Sequence, residues 1–88
     1  MTWFVYLLLC EGDVTYVGIT SNIDRRCRAH WRGTASKFTR IRRPVALIGV
    51  KPVANQRQAI REERQMKRWT LGTKLTWAKL WPPPAKSV

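Results

Sequence analysis

Trp3-Phe4-Val5-Tyr6-Leu7-Leu8-Leu9-Cys10-Glu11-Gly12-Asp13-Val14-Thr15-Tyr16-Val17-Gly18-Ile19 is the stretch on which the fold turns. Eight apolar residues of strand length lead into a Glu-Gly-Asp turn, and a segment rich in β-branched residues follows. Together they predict a β-hairpin. Its register decides where the only two tyrosines point. A three-residue loop at Glu11-Gly12-Asp13 pairs Cys10 with Val14, Leu8 with Tyr16 and Tyr6 with Gly18, so both phenols share one face. A two-residue loop would separate them. The three-residue register is the expected one, with Gly18 leaving open space opposite Tyr6. The plainer alternative is two strand-forming tyrosines with solvated hydroxyls.

Downstream, Ser21 and Asn22 are helix N-cap types and Asp24 stands three after Ser21, which predicts a helix running to about Trp31. Gly33 should end it. A polar, basic stretch from Thr34 to Arg43 reads as a loop. Pro44 opens a third strand, Val45 to Val50, and Pro52 closes it. Asn55 to about Trp69 has no Gly, Pro or Thr and is rich in Gln, Arg, Glu and Ala, hence helical. Gly72 breaks it, and Lys74 to Leu80 forms a short last helix stopped by Pro82-Pro83-Pro84. The order ββαβα(α) predicts an α+β domain, a small three-stranded mixed or antiparallel sheet flanked by helices. Residues 1–81 form the single domain and 82–88 a Pro-rich disordered tail.

The 88-residue chain has room for one modest core. Its 17 Lys+Arg against 5 Asp+Glu give a net charge of +12, which points to a polyanionic partner, nucleic acid or an anionic membrane surface. A hydrophobic share of 44% argues against a disordered basic tail. Cys10 and Cys27 are too few for a zinc set or a disulfide framework, and the single histidine, His30, excludes a His-rich metal cage. The apolar run Trp3–Cys10 is too short to span a bilayer and lacks the basic lead of a signal peptide. The expectation is a soluble cytoplasmic protein with reduced cysteines.

Polar residues on apolar faces carry the functional information. On the first helix Ile23, Cys27 and Trp31 form a stripe, and Arg26 and His30 lie beside it. An arginine there either meets an anion or snorkels to the surface. On the later helix Ala59, Ile60, Met66 and Thr70 mark one face, with Glu63 at its centre and Glu62 at its margin. Glu63 then wants a cation, either an arginine in a salt bridge or a divalent metal. Of the five tryptophans, Trp3, Trp69 and Trp77 suit a core, and Trp81 suits exposure.

This ordered set resembles the GIY-YIG nuclease superfamily, in its small single-domain branch. The first motif appears as Val5-Tyr6 and the second as Tyr16-Val17-Gly18. The helix follows as Thr20-Ser21-Asn22-Ile23-Asp24-Arg25-Arg26 continuing to His30. The later helix reads Ala59-Ile60-Arg61-Glu62-Glu63-Arg64-Gln65-Met66-Lys67. The likeness covers roughly residues 3–77. Phe4 stands where the family has glycine, and residues 70–88 hold no clear counterpart of its late asparagine.

The resemblance implies metal-dependent hydrolysis of DNA phosphodiesters. Glu63 would hold a divalent cation, Mg²⁺ or Mn²⁺, together with phosphate oxygens. Arg26 would stabilise charge on the phosphate. Tyr6 would orient or deprotonate the attacking water, Tyr16 would hold phosphate or water, and His30 would orient the phosphate or relay the proton. Gly18, Lys37, Arg40, Arg42, Arg43 and Lys67 are the expected nucleic-acid contacts, and Arg57, Arg61, Arg64 and Arg68 widen the basic footprint. With no further recognition module, specificity would come from this domain or from a protein partner. The rival expectation is a nucleic-acid-binding protein with the same basic surface and no turnover. A membrane-surface protein fits poorly, because no long amphipathic helix exposes an apolar face.

Overall fold

A computed structural model describes residues 1–84. The hairpin forms strands β1 (Trp3–Cys10) and β2 (Val14–Thr20), and β3 (Pro44–Val53) completes the sheet. The order is β2-β1-β3 with both pairings antiparallel, so the sheet has no parallel pair. β1 is central, which is why its sequence is apolar on both faces. The hairpin takes the three-residue register, Cys10 opposite Val14, Leu8 opposite Tyr16 and Tyr6 opposite Gly18. Gly12 at φ 81° and Asp13 at φ 58° supply the left-handed turn that this loop length needs.

The two faces of β1 feed two cores. Val5 and Leu7 join Val17, Val53, Ala59, Met66, Trp77 and Ala78. Tyr6, Leu8 and Cys10 join Val50, with Tyr16 and Ile23 packed alongside. Helices therefore cover both faces: α1 (Ile23–Arg32) and α2 (Lys37–Ile41) on the Tyr6 side, α3 (Gln56–Met66) and α4 (Leu71–Leu80) on the other.

Local chemistry explains most boundaries. Asn22 caps α1 by accepting from the Arg25 N–H, and Gly33 closes it at φ 82°. Asn55 and Thr70 cap α3 and α4 in the same way. Four details differ from the sequence expectation. The basic stretch after Gly33 is not all loop, because Ser36 caps the five-residue α2. Pro52 lies inside β3, opposite Phe4, a position open to proline because β3 is an edge strand. Gly72 stands in the first turn of α4 instead of before it. Trp81 is half-buried against the core, with Lys51 Nζ 5.5 Å from its ring centroid and its carbonyl accepting from Val50 N–H at 2.8 Å. That bond covers the outer edge of β3. The exposed indole is Trp31 instead. Of the tail at 82–88, Pro82–Pro84 have no regular structure, and residues 85–88 lie outside the described residues.

Candidate active site

Both tyrosines stand on the α1 side of the sheet. Tyr6 is 1% exposed, and its hydroxyl lies against Gly18 on the edge strand β2. A Cβ at Gly18 would collide with the Tyr6 hydroxyl and ring, so glycine is required there by close approach. The Tyr6 Oη lies 2.6 Å from His30 Nε2. The inward stripe of α1 is thus Ile23, Cys27 and His30. Trp31, which the spacing placed on that stripe, is turned out.

The His30 ring is buried and doubly bound. Its Nδ1 is 2.8 Å from Thr39 Oγ1, and Thr39 Oγ1 is 2.9 Å from Ser36 Oγ. Ser36 Oγ also accepts from the Thr39 backbone N–H at 3.2 Å. One local motif, the N-cap of α2, therefore also anchors the histidine. Burial and then the nearby Arg26 guanidinium lower the His30 pKa from 6.5 to about 4, so the ring is neutral at pH 7. A neutral imidazole has one N–H, so it donates one of these two bonds and accepts the other. Burial, and then Tyr16, push the Tyr6 phenol well above its usual range, while Arg26 works in the opposite direction.

Tyr16 is half-buried, with ring centroids 5.0 Å from His30, 6.4 Å from Tyr6 and 5.7 Å from Phe38. Its hydroxyl has no hydrogen-bond partner among the described residues. Arg26 is exposed. Tyr6, Tyr16, Gly18, Arg26 and His30 thus come together between the hairpin and α1.

Glu63 comes from a different element. It lies on α3 between Ala59 and Met66, which pack on the opposite face of the sheet. Its carboxylate pairs loosely with Lys67 Nζ at 3.4 Å. Glu62 is engaged more firmly, by Lys51 Nζ at 2.7 Å and Gln58 Nε2 at 3.0 Å. Lys37, Arg40, Arg42 and Arg43 are exposed on and after α2. Among the described residues no group of three His, Cys, Asp or Glu could hold a metal. A lone carboxylate suits Mg²⁺ of the kind that completes its shell with water and substrate phosphate, and Glu63 is loosely enough held to serve.

Thr39 and Ser36 escape a reading by residue type alone. Their one sequence signal is Ser36 followed three residues later by Thr39, an N-cap spacing hidden within a basic segment.

Residues 2–75 match the family model of the GIY-YIG catalytic domain. The chain belongs to the GIY-YIG family. Proteins of the UPF0213 group are among its relatives. A UPF0213 protein of Xanthomonas axonopodis pv. citri is 39% identical over 80 residues, covering 91% of this chain and 78% of that one. One from Neisseria meningitidis serogroup A is 37% identical over 84 residues, covering 96% and 89%. The solution NMR structure of a UPF0213 protein from Bacillus halodurans matches with a TM-score of 0.58 at 30% identity, covering 99% of this chain and 93% of that one. GIY-YIG membership places the chain in a nuclease superfamily whose general substrate is nucleic acid, and the UPF0213 names state no activity. No helix among the described residues is long and apolar enough to cross a membrane.

Proposed function

We propose that the domain is a metal-dependent DNA endonuclease of the cytoplasm, structure-selective or non-specific, acting at the Tyr6–His30 face. The observation that carries this reading is the 2.6 Å contact between Tyr6 Oη and His30 Nε2. A phenol can take a proton from water only if its own proton has somewhere to go. Tyr6 has that acceptor, and Tyr16 has none among the described residues. The matching tautomer has His30 Nδ1–H donating to Thr39 Oγ1, whose own O–H can turn to the Ser36 carbonyl at 3.5 Å.

With its proton held by Nε2, the Tyr6 oxygen presents lone pairs to the attacking water. Arg26, exposed beside the pair, binds the scissile phosphate and opposes its growing charge. Charge developing on the phosphate also favours a transient proton on His30, which burial otherwise resists. Tyr16 holds the phosphate or water with its free hydroxyl. Glu63 would hold Mg²⁺ or Mn²⁺, which supplies Lewis-acid stabilisation of the phosphate and a more acidic water. Lys37, Arg40, Arg42, Arg43 and Lys67 position the backbone, whereas Gly18, expected among these contacts, is buried and makes room for the Tyr6 hydroxyl instead. A protein partner is one route to specificity.

The alternative is binding without turnover, and the Lys67–Glu63 pair, which already gives that carboxylate a cation, favours it. Incubation with branched, single-stranded and duplex DNA plus Mg²⁺ or Mn²⁺ separates the two. The nuclease reading expects wild type to cut, while Glu63→Ala and Arg26→Ala bind nearly as well and do not cut. Equal cutting by wild type and Glu63→Ala would mark a contaminating activity and end this reading.

A further inference from the structure

The outward face of α3 is an arginine ridge. At about 100° per residue, Arg57, Arg61, Arg64 and Arg68 fall within an arc of about 60°, directly opposite the buried Ala59 and Met66. Arg68 continues the turn just beyond the helix, its N–H donating to the Gln65 carbonyl at 3.1 Å. All four side chains are exposed. The two carboxylates of the helix are engaged elsewhere, Glu62 by Lys51 and Glu63 by Lys67. None of the four arginines has an ion-pair partner among the described residues. They border an open groove of about 650 Å³, in which Ile60 is the one apolar lining residue.

Such a concentration of unpaired guanidinium groups on one helix face is unfavourable to itself and complementary to a regular row of anions. The ridge rises about 16 Å from Arg57 to Arg68, enough for four or five phosphates of one strand at about 3.4 Å of axis each. Arginine forks suit phosphate oxygens. A membrane-surface role would need an apolar flank for the headgroup boundary, and Ile60 alone does not provide it.

We propose that the α3 ridge binds a segment of nucleic-acid backbone separate from the one presented to the Tyr6–His30 face. The separation follows from the fold, because α3 and α1 cover opposite faces of the sheet and the ridge lies on the side of α3 turned away from the sheet. One straight duplex cannot lie against both surfaces. The fitting ligand has two segments, either two arms of a branched or folded nucleic acid or two duplexes. The inference rests on the reading of this domain as one that acts on nucleic acid.

The test uses the full chain in EDTA with a short labelled DNA duplex, titrated at salt from about 50 to 300 mM. The variants are R57Q/R61Q/R64Q/R68Q and the same four positions changed to Lys. The Gln variant is expected to lower the slope of log affinity against log salt by about 2–4, since each lost phosphate contact removes about 0.9. The Lys variant should keep most of the slope, which separates charge from folding. Amide NMR of the Gln variant at saturating duplex should still show shifts along α1. An unchanged slope overturns the proposal, as does loss of the α1 shifts together with those of α3. So does tighter binding to phosphatidylserine vesicles than to duplex, or displacement of the duplex by polyglutamate at equal charge. Cleavage by wild type with Mn²⁺ is scored apart. An arginine-dependent slope without cleavage supports the ridge and removes the nuclease reading, whereas cleavage with an unchanged slope removes only the ridge.

Discussion

Thr39 sits between a helix cap and a histidine, and its hydroxyl serves both. Replacing it by Val keeps the shape and removes the partner of His30 Nδ1. Thr39→Val should shift His30 toward the other tautomer, seen in its ¹⁵N shifts, and lower the cleavage rate about tenfold or more, whereas Thr39→Ser should restore both. An unchanged tautomer in Thr39→Val would show that Thr39 only packs. His30 also makes stability depend on pH. Its folded pKa of about 4 lies below the ordinary 6.5, so the unfolded chain takes up the proton first as pH falls. Stability present above pH 6.5 is therefore lost between 6.5 and 4, by about 1–3 kcal/mol, and then levels off. Urea midpoints across that range should fall further for wild type than for His30→Phe. Residue type and spacing were enough to single out Tyr6, Tyr16, Arg26 and His30. Thr39 was invisible because its role comes from a cap that only three-dimensional placement joins to α1.

Among the elements, the hairpin was the most legible. Turn chemistry and an apolar run of strand length set its register, and the register set the facing of both tyrosines. α2 was not legible, because five residues offer too little periodicity within a basic segment. Gly72 misled for a related reason: a glycine in the first turn of a helix looks the same as a glycine after one. The glycines give contrasting predictions. Gly18→Ala should destabilise by about 1–3 kcal/mol and disturb the Tyr6–His30 bond, because the new methyl meets the Tyr6 hydroxyl. Gly49→Ala should cost a similar amount, since its Cβ would sit 2.6 Å from the Trp77 ring. Gly72→Ala meets nothing closer than 4.0 Å and should stabilise by about 0.5 kcal/mol. Thermal or urea denaturation of the three variants checks the order, and equal effects at Gly18 and Gly72 would contradict the packing described for the hairpin.

At the scale of the whole molecule, the sheet divides the functional groups. A helical wheel places Glu63 on an apolar face but does not say which side of the sheet that helix covers. α3, which carries both Glu63 and the arginine ridge, packs on the face of the sheet opposite the tyrosines. The net charge of +12 is thus distributed over at least two directions, as the proposed engagement of two nucleic-acid segments requires. Competition at about 0.15 M salt should show branched DNA displacing a linear duplex of equal length, and a preference for the linear duplex would count against two-sided engagement. In the proposed mechanism chemistry occurs where Tyr6 meets His30. Single-turnover cleavage at saturating protein tests it most directly, comparing wild type with Tyr6→Phe, which removes one oxygen atom and keeps the ring. A fall of about a hundredfold or more is expected with DNA binding unchanged, and cutting by Tyr6→Phe at the wild-type rate would contradict chemistry at that contact.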